Sequence, residues 1–304
     1  MIGSLVSAIG SATLLYLVVY ALILLRLCTR PSSLERYPRV ESYALITGAT
    51  DGIGLGFATE FLSRGFNIIL HSRNSKKLAT VRAHLLSQYP NHKVDTLVAD
   101  AASSHADIPG ILHAIENKSV TVLVNNVGGI FTPAKFMPLT ENAASEVDSN
   151  ININARFQTQ LTRALLPLLE RNSPSLRLNM GSIASVGGLP LGSVYAAGKA
   201  YDMVFSNSIR LEMLLKRKDV EVVGIMVTEV SSGANRSDEG MFVLSSCEMA
   251  RVALERVGCG VPCLYASFPQ LSFDWMLRVL PQMVLDRIIV NVCQQRADSE
   301  KKAN

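Results

Sequence analysis

Several features are missing from this 304-residue chain, and each absence narrows what it can do. There is no block of like charge: the net +4 is dispersed, which argues against a nucleic-acid partner. There is no paired cysteine spacing either. Of five cysteines, Cys259 and Cys263 form a lone C-x3-C with no second ligand pair, so no metal site is expected. The thiols are read as reduced, in a domain facing the cytosol. Internal repeats and low-complexity segments are absent. Charge itself is scarce, at 18% of residues against 48% hydrophobic, and it is missing altogether from Ile2 to Leu25.

That uncharged run, IGSLVSAIGSATLLYLVVYALILL, is 24 residues long. At about 1.5 Å per residue it makes roughly 36 Å of helix, enough to cross a hydrocarbon core of about 30 Å. No Lys or Arg precedes it, as a cleaved leader would require. Arg26, Arg30, Arg36 and Arg39 follow it, so the positive-inside rule leaves the N-terminus outside and the rest cytosolic. Residues 1–28 are read as a transmembrane anchor and 29–41 as a polar linker. Residues 42–262 form the main domain, and 263–304 an apolar C-terminal segment with a polar tail. Charges and prolines interrupt that last segment, which fits amphipathic helices on the domain or on the membrane surface.

From Ser42 onward, Val/Ile/Leu-rich strands alternate with helical spacing. Strands are expected at Ser42–Thr47, Phe66–His71, Lys93–Ala99, Val120–Asn126, Ser175–Met180 and Val220–Met226. Helices are expected over Ile53–Arg64, Ser75–Tyr89, Ile108–Asn117, Val147–Arg171 and Ser193–Lys216. This is the pattern of a doubly wound α/β fold of Rossmann type, its parallel sheet covered on both faces. Ligands bind such sheets at the carboxyl ends of the strands.

The first strand runs into TGATDGIGLG, Thr47–Gly56. Gly48, Gly52 and Gly54 let the backbone turn sharply and approach a pyrophosphate placed against a helix N-terminus. Thr50, Asp51 and Ile53 belong to the same loop. The second strand ends His71-Ser72-Arg73, where a site for a free ribose 2′-hydroxyl would carry an acid. Arg73 suits a 2′-phosphate instead, which points to NADP(H). Lys76 and Lys77 follow it, either as further cations for that phosphate or as solvated charges at a helix start.

With TGATDGIG, LVNNVG, NININ and YAAGK in that order, the chain resembles a short-chain dehydrogenase/reductase over about Tyr43–Val230. TGATDGIG followed by SRNSKKL, with the NNVG variant, is similar to the branch holding very-long-chain 3-oxoacyl-CoA reductases and 17β-hydroxysteroid dehydrogenases. The resemblance implies membrane anchoring in the endoplasmic reticulum and a catalytic tetrad of Asn154, Ser182, Tyr195 and Lys199. It places Asp100 on the adenine amino group, Asn125, Asn126 and Gly128 along the adenosine, and Val230 and Ser232 at the nicotinamide amide. Tyr195 and Lys199 also belong to the cofactor site.

The chemistry suits these residue types. Ketone reduction needs a hydride from the cofactor and a proton for the oxygen. Tyr195 and Lys199 are four apart on a helix, so they share a face. A cation about 4 Å from a phenol, at an effective dielectric near 20, favours the phenolate by about 4 kcal/mol. Ser182 would polarise the carbonyl, and Asn154 would hold a water linking Lys199 to solvent.

The sequence also departs from the family pattern. Val227 stands where a proline is usual and Ser232 where a threonine is, Gly181 replaces the first of a serine pair, and Gly198 precedes the lysine. Gly233–Phe242 reads as a lid over the substrate. The terminal KKAN resembles a dilysine retrieval signal. The leading expectation is reduction of a very-long-chain 3-oxoacyl-CoA. The alternatives are a steroid, terpenoid or polyketide ketone and, in another class, a non-catalytic nucleotide- or lipid-binding protein. A homodimer, or association with other membrane-bound lipid enzymes, is compatible with this placement.

Overall fold

The computed structural model describes residues 2–37, 41–134, 136–231, 240, 243–260, 263–265, 267, 269–272 and 279–303. The first element is α1 (Ile2–Thr29), whose Gly3–Ile23 stretch is long and apolar enough to cross a membrane and buries nothing against the rest of the protein. Strands β1 (Ser42–Thr47), β2 (Asn67–Ser72) and β3 (Val94–Val98) follow, with α2 (Gly52–Ser63) and α3 (Ser75–Gln88) between them. After α4 (Ile108–Ile115) and β4 (Ser119–Asn125) come α5 (Ala144–Ile151), a π-helical turn at Asn152–Arg156, and α6 (Phe157–Arg171). The chain continues through β5 (Ser175–Met180), the short turn α7 (Ala184–Gly187), α8 (Ser193–Leu215) and β6 (Val220–Met226). Beyond it lie β7 (Glu229–Ser231), β8 (Val243–Ser245), α9 (Ser246–Glu255), β9 (Cys263–Tyr265) and α10 (Gln282–Ala303).

Seven strands pair in parallel in the order β3-β2-β1-β4-β5-β6-β9. The chain steps outward one way from β1 to β3, then restarts on the other side of β1 with β4. That reversal opens a crevice above β1 and β4, where a doubly wound sheet takes its ligand. Successive strand residues feed opposite faces, because the side-chain period is two. In β1, Ala44 and Ile46 join the core under α2 and α9, while Tyr43 and Leu45 join the one under α4, α6 and α8. Phe57 and Phe61 of α2 anchor the first core, and Phe157, Leu161 and Leu165 of α6 the second.

Two peripheral segments are docked. The linker read as a plain polar tether is pinned to the sheet's far end. Ser33 N–H donates to the Val257 carbonyl at 2.8 Å, Arg36 pairs with Asp219 at 2.6 Å, and Leu34 is buried. The Tyr37 hydroxyl donates to Glu221, and burial together with that carboxylate raises its pKa. At the other end, the second half of α10 packs on the domain through buried Cys293 and Ala297. It is tied there by Arg296–Glu229 at 2.7 Å and by Phe136 N–H donating to Glu300 at 3.2 Å. Lys301 and Lys302 are exposed on the last turn of this helix.

Candidate active site

The glycine-rich turn comes straight off β1. Gly48 has φ +67°, a conformation side chains resist. Asp51 caps α2, its carboxylate accepting from Gly52 N–H at 2.7 Å, and it pairs with Lys77 at 2.8 Å. The Lys77 hydrogen bond holds the Asp51 carboxyl below its ordinary value. The Thr50 hydroxyl lies 3.2 Å from that of Ser72 and ties the turn to the end of β2. Across the crevice, the Asn126 amide donates to the carbonyls of Thr47 at 2.9 Å and Gly48 at 3.3 Å. The Thr47 hydroxyl accepts from Asn126 and Val127 N–H at 2.9 and 3.0 Å. The ends of β1 and β4 are stitched at the switch point.

The long helix after β4 does not run evenly. Its π turn inserts a residue just where Asn154 lies, and such turns recur at functional sites. Asn154 is fully buried, and its amide clasps Gly129, accepting from the N–H at 3.0 Å and donating to the carbonyl at 2.8 Å. Gly198 of α8 fits against it, since a Cβ there would lie 2.8 Å from the Asn154 Cβ. The departure at that position lets α8 approach.

Tyr195 and Lys199 then project from the first turns of α8 into one cavity of about 270 Å³. Lys199 Nζ donates to the Met180 carbonyl at 2.7 Å. A Cβ on Gly128 would sit 3.1 Å from that Nζ and 2.9 Å from Asn154 Oδ1, so the close approach needs glycine. Ser182 is buried just past β5, its hydroxyl accepting from Ala184 N–H at 3.2 Å. Gly181 before it packs closely on Met203: a Cβ would lie 2.4 Å from its Sδ, so that side chain would have to move.

Gly48, Asp51, Gly52, Ile53, Asn126, Gly128, Tyr195 and Lys199 line this cavity, as do Val127, Gly129, Met180, Gly181 and Val227, which sequence reasoning did not assign to it. Gly54 stands behind the turn. Arg73 is exposed, its guanidinium 5.0 Å over the Phe131 ring. Exposed Asp100 accepts from Ala102 N–H at 3.0 Å. Asn125 is fully buried and turned away from the cleft. With its amide oxygen toward Arg177 it accepts from Nε at 3.3 Å and Nη2 at 3.1 Å. Val230 is buried in β7, while Ser232 and most of Gly233–Phe242 lie outside the described residues. No cluster of three His, Cys, Asp or Glu side chains suited to a metal occurs among the described residues.

A family model described as short chain dehydrogenase matches residues 42–240. The chain belongs to the short-chain dehydrogenase family. Among relatives of this dehydrogenase, a very-long-chain 3-oxoacyl-CoA reductase-like protein of Arabidopsis thaliana is 31% identical over 86% of this chain and 83% of its own length. The very-long-chain 3-oxoacyl-CoA reductase of Anas platyrhynchos is 29% identical over 85% and 82%. Among solved structures, a 7β-hydroxysteroid dehydrogenase superposes with TM-score 0.74 at 16% identity, covering 85% of this chain and 99% of that one. A short-chain dehydrogenase of Sphingobium yanoikuyae in complex with NADPH gives TM-score 0.63 at 21% identity, over 79% and 97%. At those identities the two structures speak for the fold.

Beside the cleft of this short-chain dehydrogenase, His71 is buried at the end of β2, stacked on Phe157 with centroids 5.1 Å apart. Burial lowers its pKa to about 4. A histidine held neutral in the fold supports stability above its free value of about 6.5 and gives it up as pH falls toward 4. The full effect is about 3 kcal/mol. Buried Asp202 acts in the opposite sense: its pKa is raised to about 6, chiefly by burial, so its protonation favours the fold as pH falls. Denaturant titrations from pH 7 to 4 are therefore expected to show a steeper acid loss in wild type than in His71→Leu. Parallel curves would remove His71 as the cause.

Proposed function

We propose that this chain is a membrane-anchored, NADPH-dependent reductase that converts a very-long-chain 3-oxoacyl-CoA to the 3-hydroxyacyl-CoA. The observation that carries the reading is the meeting of Tyr195 and Lys199 with the glycine turn around one cavity, lined from the end of β5 by Gly181, with buried Ser182 next in the chain. The walls of the cavity depend on glycines: a side chain at Gly128 would press on Asn154 and Lys199, and one at Gly54 on the back of the turn at the Gly48 carbonyl. Gly48, Gly52 and Ile53 would hold the pyrophosphate at the start of α2, and Lys199 the nicotinamide ribose. NADPH would supply the hydride. Ser182 donates a hydrogen bond to the ketone oxygen as negative charge develops there. Tyr195 then gives its hydroxyl proton to that oxygen, and Lys199 stabilises the phenolate left behind. The clasp of Asn154 on Gly129 holds the loop that brings Gly128 up to Lys199.

The substrate class follows the relatives, and it agrees with a long apolar helix ahead of the domain. The same helix, with Lys301 and Lys302 exposed at the other end, supports placement in the endoplasmic reticulum membrane with the domain cytosolic. Val227 in the wall of the cavity, in place of the family's proline, is the one observation favouring a different lipophilic ketone, such as a steroid. The test is NADPH oxidation by the full-length protein in detergent, against 3-oxoacyl-CoAs of graded length and a panel of steroid and terpenoid ketones. Turnover confined to the second panel would replace the substrate, and turnover of neither would end the reading.

Arg73 is assigned to the 2′-phosphate. Lys77 is engaged by Asp51, whereas Arg73 need only leave an aromatic face. A charge-assisted hydrogen bond is worth about 2 kcal/mol, roughly thirtyfold. Arg73→Ala should lower kcat/KM for NADPH by that factor and leave NADH almost unchanged. Equal losses with both cofactors would overturn the assignment.

A further inference from the structure

Behind the catalytic face lies a cluster of buried charge that the reduction itself does not use. Arg177 sits in the middle of β5, fully buried in a strand otherwise mostly apolar. Its Nε donates to the Thr162 hydroxyl and one terminal nitrogen to the Ser206 hydroxyl, both at 3.1 Å, with the guanidinium 5.3 Å over the Phe205 ring. Asp202 follows Lys199 on α8 and is also fully buried. Its carboxylate lies 3.6 Å from Lys199 Nζ. The charged groups facing Asp202 are Lys199 from its own helix and Arg177 from β5. From α6 it meets the neutral Gln158.

Two cations and one carboxylate are thus enclosed together. An apolar trio of similar volume would usually be as stable or more so, and removing one charge from such a set is costly because the others stay buried. The arrangement makes sense if one member has to be charged for another reason, and Lys199 faces the cofactor cleft. We infer that Asp202, itself balanced by Arg177, is a positioning residue that holds the Lys199 ammonium at the cleft beside Tyr195. This rests on the reading of Lys199 as the group that holds the nicotinamide ribose. Burial raises the Asp202 pKa to about 6, against the pull of Lys199 and Arg177, so the carboxylate gains its proton just below neutrality. Lys199 then loses its counter-charge while Arg177 keeps repelling it.

The test reads NADPH affinity by fluorescence, on the full-length protein in detergent, from pH 5 to 9. Each variant is expressed as a ratio to wild type, so the titration of the cofactor's own phosphate cancels. Asp202→Asn fixes the uncharged state. It should bind NADPH about tenfold more weakly above pH 7, and the ratio should approach one near pH 5, where wild type is protonated too. Arg177→Met/Asp202→Asn removes the opposing cation and should recover most of the loss. Arg177→Met alone removes a charge that favours the carboxylate, so the midpoint of the wild-type change should move up by about one pH unit. A ratio for Asp202→Asn that does not vary with pH overturns the inference. If that variant does not fold, an unmoved midpoint in Arg177→Met overturns it instead. Wild type that binds no NADPH ends the functional reading and this inference together. Wild type that binds NADPH and turns over none of the ketones leaves the inference to be judged on the ratios alone.

Discussion

Tyr195→Phe is expected to lower kcat for ketone reduction by about a thousandfold while NADPH still binds. The substitution deletes one oxygen and keeps the ring that lines the cavity. A positioned acid contributes about 10²–10⁴ to such a step, and a thousandfold corresponds to about 4 kcal/mol of lost transition-state stabilisation. The loss should fall on kcat, because the proton is needed only once charge moves onto the ketone oxygen. Ser182→Ala should cost less, about a hundredfold, since it removes a hydrogen bond and leaves the proton source in place. Single-turnover NADPH oxidation, with cofactor affinity measured alongside, separates these effects. Turnover by Tyr195→Phe at the wild-type rate would end the proposed chemistry. A parallel loss of NADPH affinity would mean that the phenol serves binding.

Much of the frame behind this prediction is legible in the residues alone, and what is not has physical causes. SYALIT, SLRLNM and VEVVGIM are strands with the expected bounds, because strands of a parallel sheet covered on both faces are short and rich in Val, Ile and Leu, even where Arg177 or Glu221 interrupts the apolar residues. β7 and β8 have only three residues each, too few to carry a period, and α9 follows the stretch that sequence reasoning reads as a lid. The expected single helix over Val147–Arg171 starts three residues earlier and contains the π turn. One extra residue in a helical turn leaves no mark in composition, yet it sets the depth of Asn154. The resemblance puts Asn125 along the adenosine, and the fold turns its side chain inward to Arg177. The Arg177–Asp202 relation shows the general difficulty. Each residue reads as an isolated oddity until the crossover from β5 to α8 brings a strand centre against a helix face.

Gly54→Ala is expected to be the most damaging single-atom addition in the cofactor cleft. The new Cβ would lie 2.2 Å from the Gly48 carbonyl oxygen, 2.6 Å from Asn126 Nδ2 and 2.9 Å from the Gly48 carbonyl carbon. Two of those three neighbours are main chain, so no rotamer change relieves the contact. Gly48 is held at φ +67° between β1 and the turn, and the Asn126 amide bridges its carbonyl to that of Thr47. Making room means opening the turn and breaking that bridge. Overpacking of this kind costs about 1–3 kcal/mol, and each hydrogen bond lost adds about 1 kcal/mol. A total near 4 kcal/mol is expected, readable as a lower denaturation midpoint. The N–H groups of Gly52 and Ile53 would move with the turn, so NADPH affinity should fall by at least about a hundredfold, close to 3 kcal/mol. Gly10→Ala supplies the control, since a Cβ there meets nothing within 4 Å. That variant should match wild type in both measurements. Normal cofactor affinity in Gly54→Ala would show that the pyrophosphate does not rest on this turn, and the cofactor would then have to be placed elsewhere along the strand ends.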